Sequence, residues 1–79
     1  MIVFTKHAKE KFSVLKRHKF LVSQSQVLKT IEKPDTIDYS RLPLLIAQRK
    51  INRNYALRVV YRIEGGVIKI ITFYPSRTK

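Results

Sequence analysis

The sequence predicts an α+β domain in which two amphipathic helices lie on one face of a three- to four-stranded antiparallel sheet. Three observations carry this expectation. Apolar residues recur at helical spacing before Pro34 and at strand spacing after it. Ser23-Gln24-Ser25-Gln26 has the spacing of a helix-capping box. Gly65-Gly66 separates two alternating apolar segments, as a tight hairpin turn does. With 79 residues the chain makes a single domain, residues 1–79, whose small core hides only about 60–65% of the unfolded surface.

The elements follow in order. Ile2-Val3-Phe4 is a short apolar opener suited to an edge strand, and Thr5 fits an N-cap. From Lys6 to about Lys19, Ala8, Phe12 and Leu15 form an apolar stripe, with Lys9, Lys11, Lys16 and Arg17 elsewhere on the helix. The second helix runs over roughly 24–33. Ser23 caps it, Val22 and Val27 staple its start, and Pro34 stops it. Thr36 to Ser40 could form a strand, and Arg41-Leu42-Pro43 a turn. Leu44 to Ile51, Tyr55 to Glu64 and Val67 to Tyr74 read as strands, the first two joined by the turn Asn52-Arg53-Asn54.

A two-residue Gly-Gly loop fixes a register. It pairs Glu64 with Val67, Ile63 with Ile68, Tyr61 with Ile70, Val59 with Thr72 and Leu57 with Tyr74. Alternation then puts Leu57, Val59, Tyr61, Thr72 and Tyr74 beneath the helices. Arg58, Val60, Arg62, Lys69, Ile71 and Phe73 take the other face. Cations interleaved with aliphatics and one aromatic suit a phosphate backbone and a stacked base. The plain alternative is a solvated face whose cations discourage edge pairing.

Charge points to the partner class. Seventeen Lys and Arg against five Asp and Glu give a formal net charge of +12. Self-repulsion on that scale costs a small fold stability, so a polyanion is the natural partner, with nucleic acid ahead of an acidic protein. Six of the seven arginines lie between Arg41 and Arg77, which makes the strand half the better phosphate-gripping surface. Arg49, Lys50, Arg53 and Arg77 therefore join Arg62, Lys69 and Phe73 as candidate nucleic-acid contacts. The apolar run Leu44–Ala47 is far short of the roughly 20 residues a spanning helix needs, and Met1–Phe4 is too short for a signal peptide. The expectation is a cytoplasmic protein with no membrane partner.

Several chemistries are excluded by residue content. There is no cysteine, hence no thiol nucleophile, disulfide or thiolate metal site. Glu10, Glu32, Asp35, Asp38 and Glu64 are scattered, unlike the clustered carboxylates of metal-dependent nucleases or the paired ones of glycosidases. The only two glycines form a hairpin, so no glycine-rich phosphate loop exists. No metal or other cofactor is expected. His7 and His18 would sit about 16 Å apart along one helix, too far to share a scissile bond. Either would act alone.

Several short motifs span the whole chain. They are Thr5-Lys6-His7-Ala8, a Ser at the second helix start, Lys33-Pro34-Asp35, Arg58-Val59-Val60-Tyr61 and Thr72-Phe73-Tyr74-Pro75. In these the sequence resembles compact proteins of unknown function in the RelE/ParE-like toxin superfamily, which shares a core with several bacterial RNases. The resemblance implies a RelE-like fold and a metal-independent endoribonuclease, in which a ribose 2′-OH attacks the adjacent phosphate. It implies His7 as general acid or base, Arg58 as the cation on the pentavalent phosphate, and Tyr74 as an acid or a base-stacking contact. The implied partners are RNA, free or ribosome-bound, and an acidic antitoxin protein. A non-catalytic module that binds RNA or inhibits a protein target stands as the alternative.

Overall fold

The computed structural model describes residues 1–78. It is an α+β fold. The elements are β1 (Ile2–Phe4), α1 (Lys6–Arg17), α2 (Gln24–Glu32), β2 (Thr36–Asp38), β3 (Leu45–Lys50), β4 (Tyr55–Glu64) and β5 (Val67–Arg77). The strands form one sheet in the order β1-β5-β4-β3-β2. Two features depart from the expected three- or four-stranded antiparallel sheet. The sheet has five strands, and β1 runs parallel to β5, with Ile2, Val3 and Phe4 opposite Ile68, Lys69 and Ile70. A parallel pair needs a long crossover, and here both helices and three strands intervene, so no local pattern announces it.

Each helix is set by its ends. Thr5 caps α1: its hydroxyl accepts from Ala8 N at 3.2 Å and donates to the Ile71 carbonyl at 3.2 Å, tying the helix start to β5. Helix α1 stops at Arg17, before the expected Lys19, because Lys19 adopts a left-handed conformation (φ 60°). Lys19 N donates to Lys16 O and Phe20 N to Leu15 O, both at 2.9 Å, the two bonds of a Schellman termination. The capping box of α2 is complete, with Gln26 N to Ser23 Oγ at 3.1 Å and Ser23 N to Gln26 Oε1 at 2.9 Å. Ser23→Ala removes the acceptor for one amide, and the urea midpoint should fall by the equivalent of about 1 kcal/mol.

The helices cover one side of the sheet. Ala8, Leu15 and Val27 meet Ala47, Leu57, Val59, Tyr61, Ile70 and Phe73 in a single buried cluster. Phe12 bridges the layers, its ring centroid 4.6 Å from that of Phe73 and 5.9 Å from that of Phe4. Burial raises the pKa of the Tyr61 hydroxyl, with nearby Tyr39 adding to it.

The strand β5 corrects the expected register. Pairing follows the Gly-Gly hairpin from Glu64–Val67 to Tyr61–Ile70, then slips at Val60/Tyr61, so that Val60 faces Thr72, Val59 faces Phe73 and Arg58 faces Tyr74. Ile71 is the extra residue of a β-bulge. The strand also runs past Pro75 to Arg77, where it was expected to stop near Tyr74. The two corrections share one cause. Before the bulge, Ile68 N bonds Met1 O and Ile70 O accepts from Thr5 N, so even-numbered residues of β5 point their backbone groups toward β1. After it, Thr78 N bonds Asn54 O, so even-numbered residues point toward β4 and odd-numbered ones away. Pro75 thereby turns its missing N–H outward. Without the bulge it would face Ala56 and break the ladder.

Candidate nucleic-acid interface

The bulge decides what faces solvent. Successive registers align Thr36, Gln48, Arg58 and Tyr74 in a polar row across four strands, on the side opposite the helices. A second row, Asp38, Ile46, Val60 and Thr72, lies beside it. Beyond that, Arg62 pairs with Lys69, which neighbours Val3.

Arg58 is the centre of the first row. Its Nη1 donates to Gln48 Oε1 at 3.3 Å, and its Cζ lies 5.9 Å from the Tyr74 ring centroid, within cation–π range. Its Nε is buried and has no hydrogen-bond partner. No carboxylate comes within 4.0 Å of it among the described residues. The guanidinium is thus held in place by an amide and a ring while part of its donor fork stays unspent. Asp38, in the neighbouring row, has its pKa lowered chiefly by hydrogen bonds from Ser40, and the Arg58 and Arg41 charges contribute.

The second cationic pair is already partly neutralised. Glu64 Oε2 takes a hydrogen bond from Lys69 Nζ at 2.9 Å, and Glu64 Oε1 lies 2.7 Å from Arg62 Nε. That Arg62 contact is an ion pair by distance only, since the N–H does not point along it and Nε remains without a hydrogen bond. The Lys69 hydrogen bond, aided by the two charges, lowers the Glu64 pKa. The folded-state value lies below that of an ordinary Glu, so the carboxylate stays charged at neutral pH and the clamp opens only on acidification through that lowered value. Glu64→Gln frees one net positive charge at neutral pH. RNA affinity measured by fluorescence anisotropy should rise, with a steeper fall as salt is added.

The remaining candidates scatter. Phe73, expected on the cationic face, is fully buried against Phe12 because the bulge turns it inward. Tyr74 makes the opposite move and joins Arg58, from which the regular register would have separated it. His7 is exposed in the first turn of α1, in the helical layer, and no hydrogen bond among the described residues ties it to Arg58 or Tyr74. Arg49 lies on the helical side, its Nη1 donating to Lys33 O at 2.8 Å. Lys50 ends β3, Arg53 sits in the β3–β4 turn, and Arg77 is opposite Tyr55 at the far end of β5. Sequence reasoning misses Gln48 and Thr36 and finds Asp38 only as one of the scattered carboxylates. The Asn52–Asn54 turn carried the signal for Gln48, because the register it implies sets Gln48 beside Arg58.

Among the described residues, no three His, Cys, Asp or Glu side chains come together as a metal site would require. Nor is any helix of the described residues long and apolar enough to cross a membrane. No family model, curated protein or solved structure matches the chain.

Proposed function

We propose that the open sheet face binds single-stranded RNA, with Arg58 gripping a phosphodiester and Tyr74 stacking or hydrogen-bonding the adjacent nucleotide. One observation carries this reading. Arg58 is a guanidinium with no carboxylate within 4.0 Å among the described residues, positioned between an amide and a phenol. Its Nε is buried, so the Nη end of the fork is the part that a ligand can reach. Phosphate oxygens suit it, and the surplus of cations elsewhere would draw a polyanion toward the face.

Cleavage is the second reading, favoured by the Arg58–Tyr74 pair. A phenol beside a cation could protonate a leaving oxygen while the guanidinium holds the phosphate charge. Binding comes first because the row provides no general base and His7 is not part of it. End-labelled RNA incubated with the protein in EDTA separates the two. Intact RNA with steeply salt-dependent binding supports the binding module. Products ending in 2′,3′-cyclic phosphate, lost in Tyr74→Phe, would replace it with a metal-independent endoribonuclease. Binding that ignores salt would remove both.

A further inference from the structure

Two adjoining clefts open on the other side of the sheet, in the seam between α2 and the end of β3. The first, about 170 Å³, is lined by Gln26, Lys29, Arg49, Lys50 and Ile51. The second, about 310 Å³, shares Gln26 and Ile51 and adds Lys19, Phe20 and Tyr55. We propose that together they form a phosphomonoester site, the first cleft taking the phosphate and the second the flat organic group attached to it.

The first cleft offers fixed donors. Gln26 spends its Oε1 on the Ser23 amide, which leaves Nε2 as the unengaged end of the side chain. Arg49 spends Nη1 on the Lys33 carbonyl, which anchors the guanidinium and leaves Nε and Nη2. Lys29 is one helical turn beyond Gln26 and so shares its face. Neither Lys29 nor Arg49 has a carboxylate within 4.0 Å among the described residues. The acids nearest the cleft in the chain are Glu32, three residues beyond Lys29 at the end of α2, and Asp35, which accepts from the Lys50 amide at 2.8 Å. Two cations that form no ion pair within 4.0 Å among the described residues, together with an amide, match a group carrying about −1.5 to −2 at neutral pH, as a phosphomonoester does. A diester, with one charge, would leave a cation unmatched.

The second cleft suits a base. Phe20 and Tyr55 meet edge to face with centroids 5.1 Å apart, and Lys19 is held beside them by the left-handed turn that ends α1. The predicted ligand class is therefore a nucleoside monophosphate or a phosphorylated RNA end. This site lies across the sheet from Arg58 and does not rest on the RNA-binding reading of that face.

The test is a titration of ¹⁵N-labelled protein at constant ionic strength with adenosine 5′-monophosphate, adenosine, and a tetranucleotide with or without a 5′-phosphate. The Gln26 side-chain amide and the Arg49 Nε–H should shift saturably with a phosphorylated ligand and stay still with adenosine. Arg49→Gln and Lys29→Gln should each weaken the phosphate-dependent binding by about tenfold, the scale of one hydrogen bond to a charged group. Binding should also weaken as pH falls below about 6, where the dianion takes up a proton. A response to the mononucleotide alone supports the site with free nucleotide as its source. A response to the phosphorylated tetranucleotide supports it with RNA ends. Shifts spread evenly over the lysines of both helices, or unchanged affinity in a folded Lys29→Gln, would overturn the proposal.

Discussion

Arg58→Ala should lower affinity for single-stranded RNA by about 10- to 100-fold, the loss expected when a charge-assisted hydrogen bond to phosphate disappears. The dependence of affinity on salt should flatten by about one phosphate equivalent. Stability should change little, because the side chain removed carries a buried Nε without a partner and its sole hydrogen bond among the described residues, to Gln48, is a long one. Arg58→Lys should bind between wild type and Arg58→Ala, keeping the charge but losing the planar fork. Fluorescence anisotropy over a salt series checks all three expectations. If Arg58→Ala binds as wild type does, the polar row is not the contact surface.

Phe73→Ala should come close to unfolding the protein. Removing a buried Phe costs about 3–5 kcal/mol, whereas a chain of this length has about 4–12 kcal/mol of total stability. Phe73 is fully buried and touches Phe12, the residue that joins α1 to β1 and β5. Tyr74→Ala, one residue away, should leave the urea midpoint nearly unchanged and weaken RNA binding instead. The pair of variants reads the bulge directly. In an unbroken hairpin the two phenotypes would be exchanged.

What the sequence disclosed depended on how far each cause reaches along the chain. Ser23 with Gln26, Pro34, Thr5 and the glycine pair act within a few residues, and the element ends that they set are found where they were expected, although α1 stops earlier and β5 runs further than expected at their other ends. The parallel pairing of β1 with β5 spans some 65 positions and leaves no periodic trace. The bulge lay between these cases. Its signal was Pro75, since a two-residue hairpin carried without interruption would bring that missing N–H against Ala56. Read as a strand terminator, Pro75 concealed the slip that brings Tyr74 to Arg58 and sends Phe73 inward. Glu64 was legible as an acid at the hairpin end, but its hold on both Arg62 and Lys69 depends on side-chain reach, which register alone does not give.

The meeting of β1 with β5 also orders events in time. Hairpin β4–β5 closes through contacts near in sequence, and each helix can begin from its own cap. Strand β1 is different. Its ladder hydrogen bonds, and those that Thr5 donates, lie on residues 68–71, so it has nothing to pair with until β5 exists. During synthesis the first strand therefore waits unpaired while the rest of the domain is made, with the apolar stripe of α1 also uncovered. Closing so distant a contact is slow, because the loop entropy is lost before any pairing repays it. In that interval a dense coat of positive charge keeps one nascent chain away from the next. The same lysines and arginines that would draw a polyanion to the finished domain thus act earlier as mutual repulsion between unfinished ones.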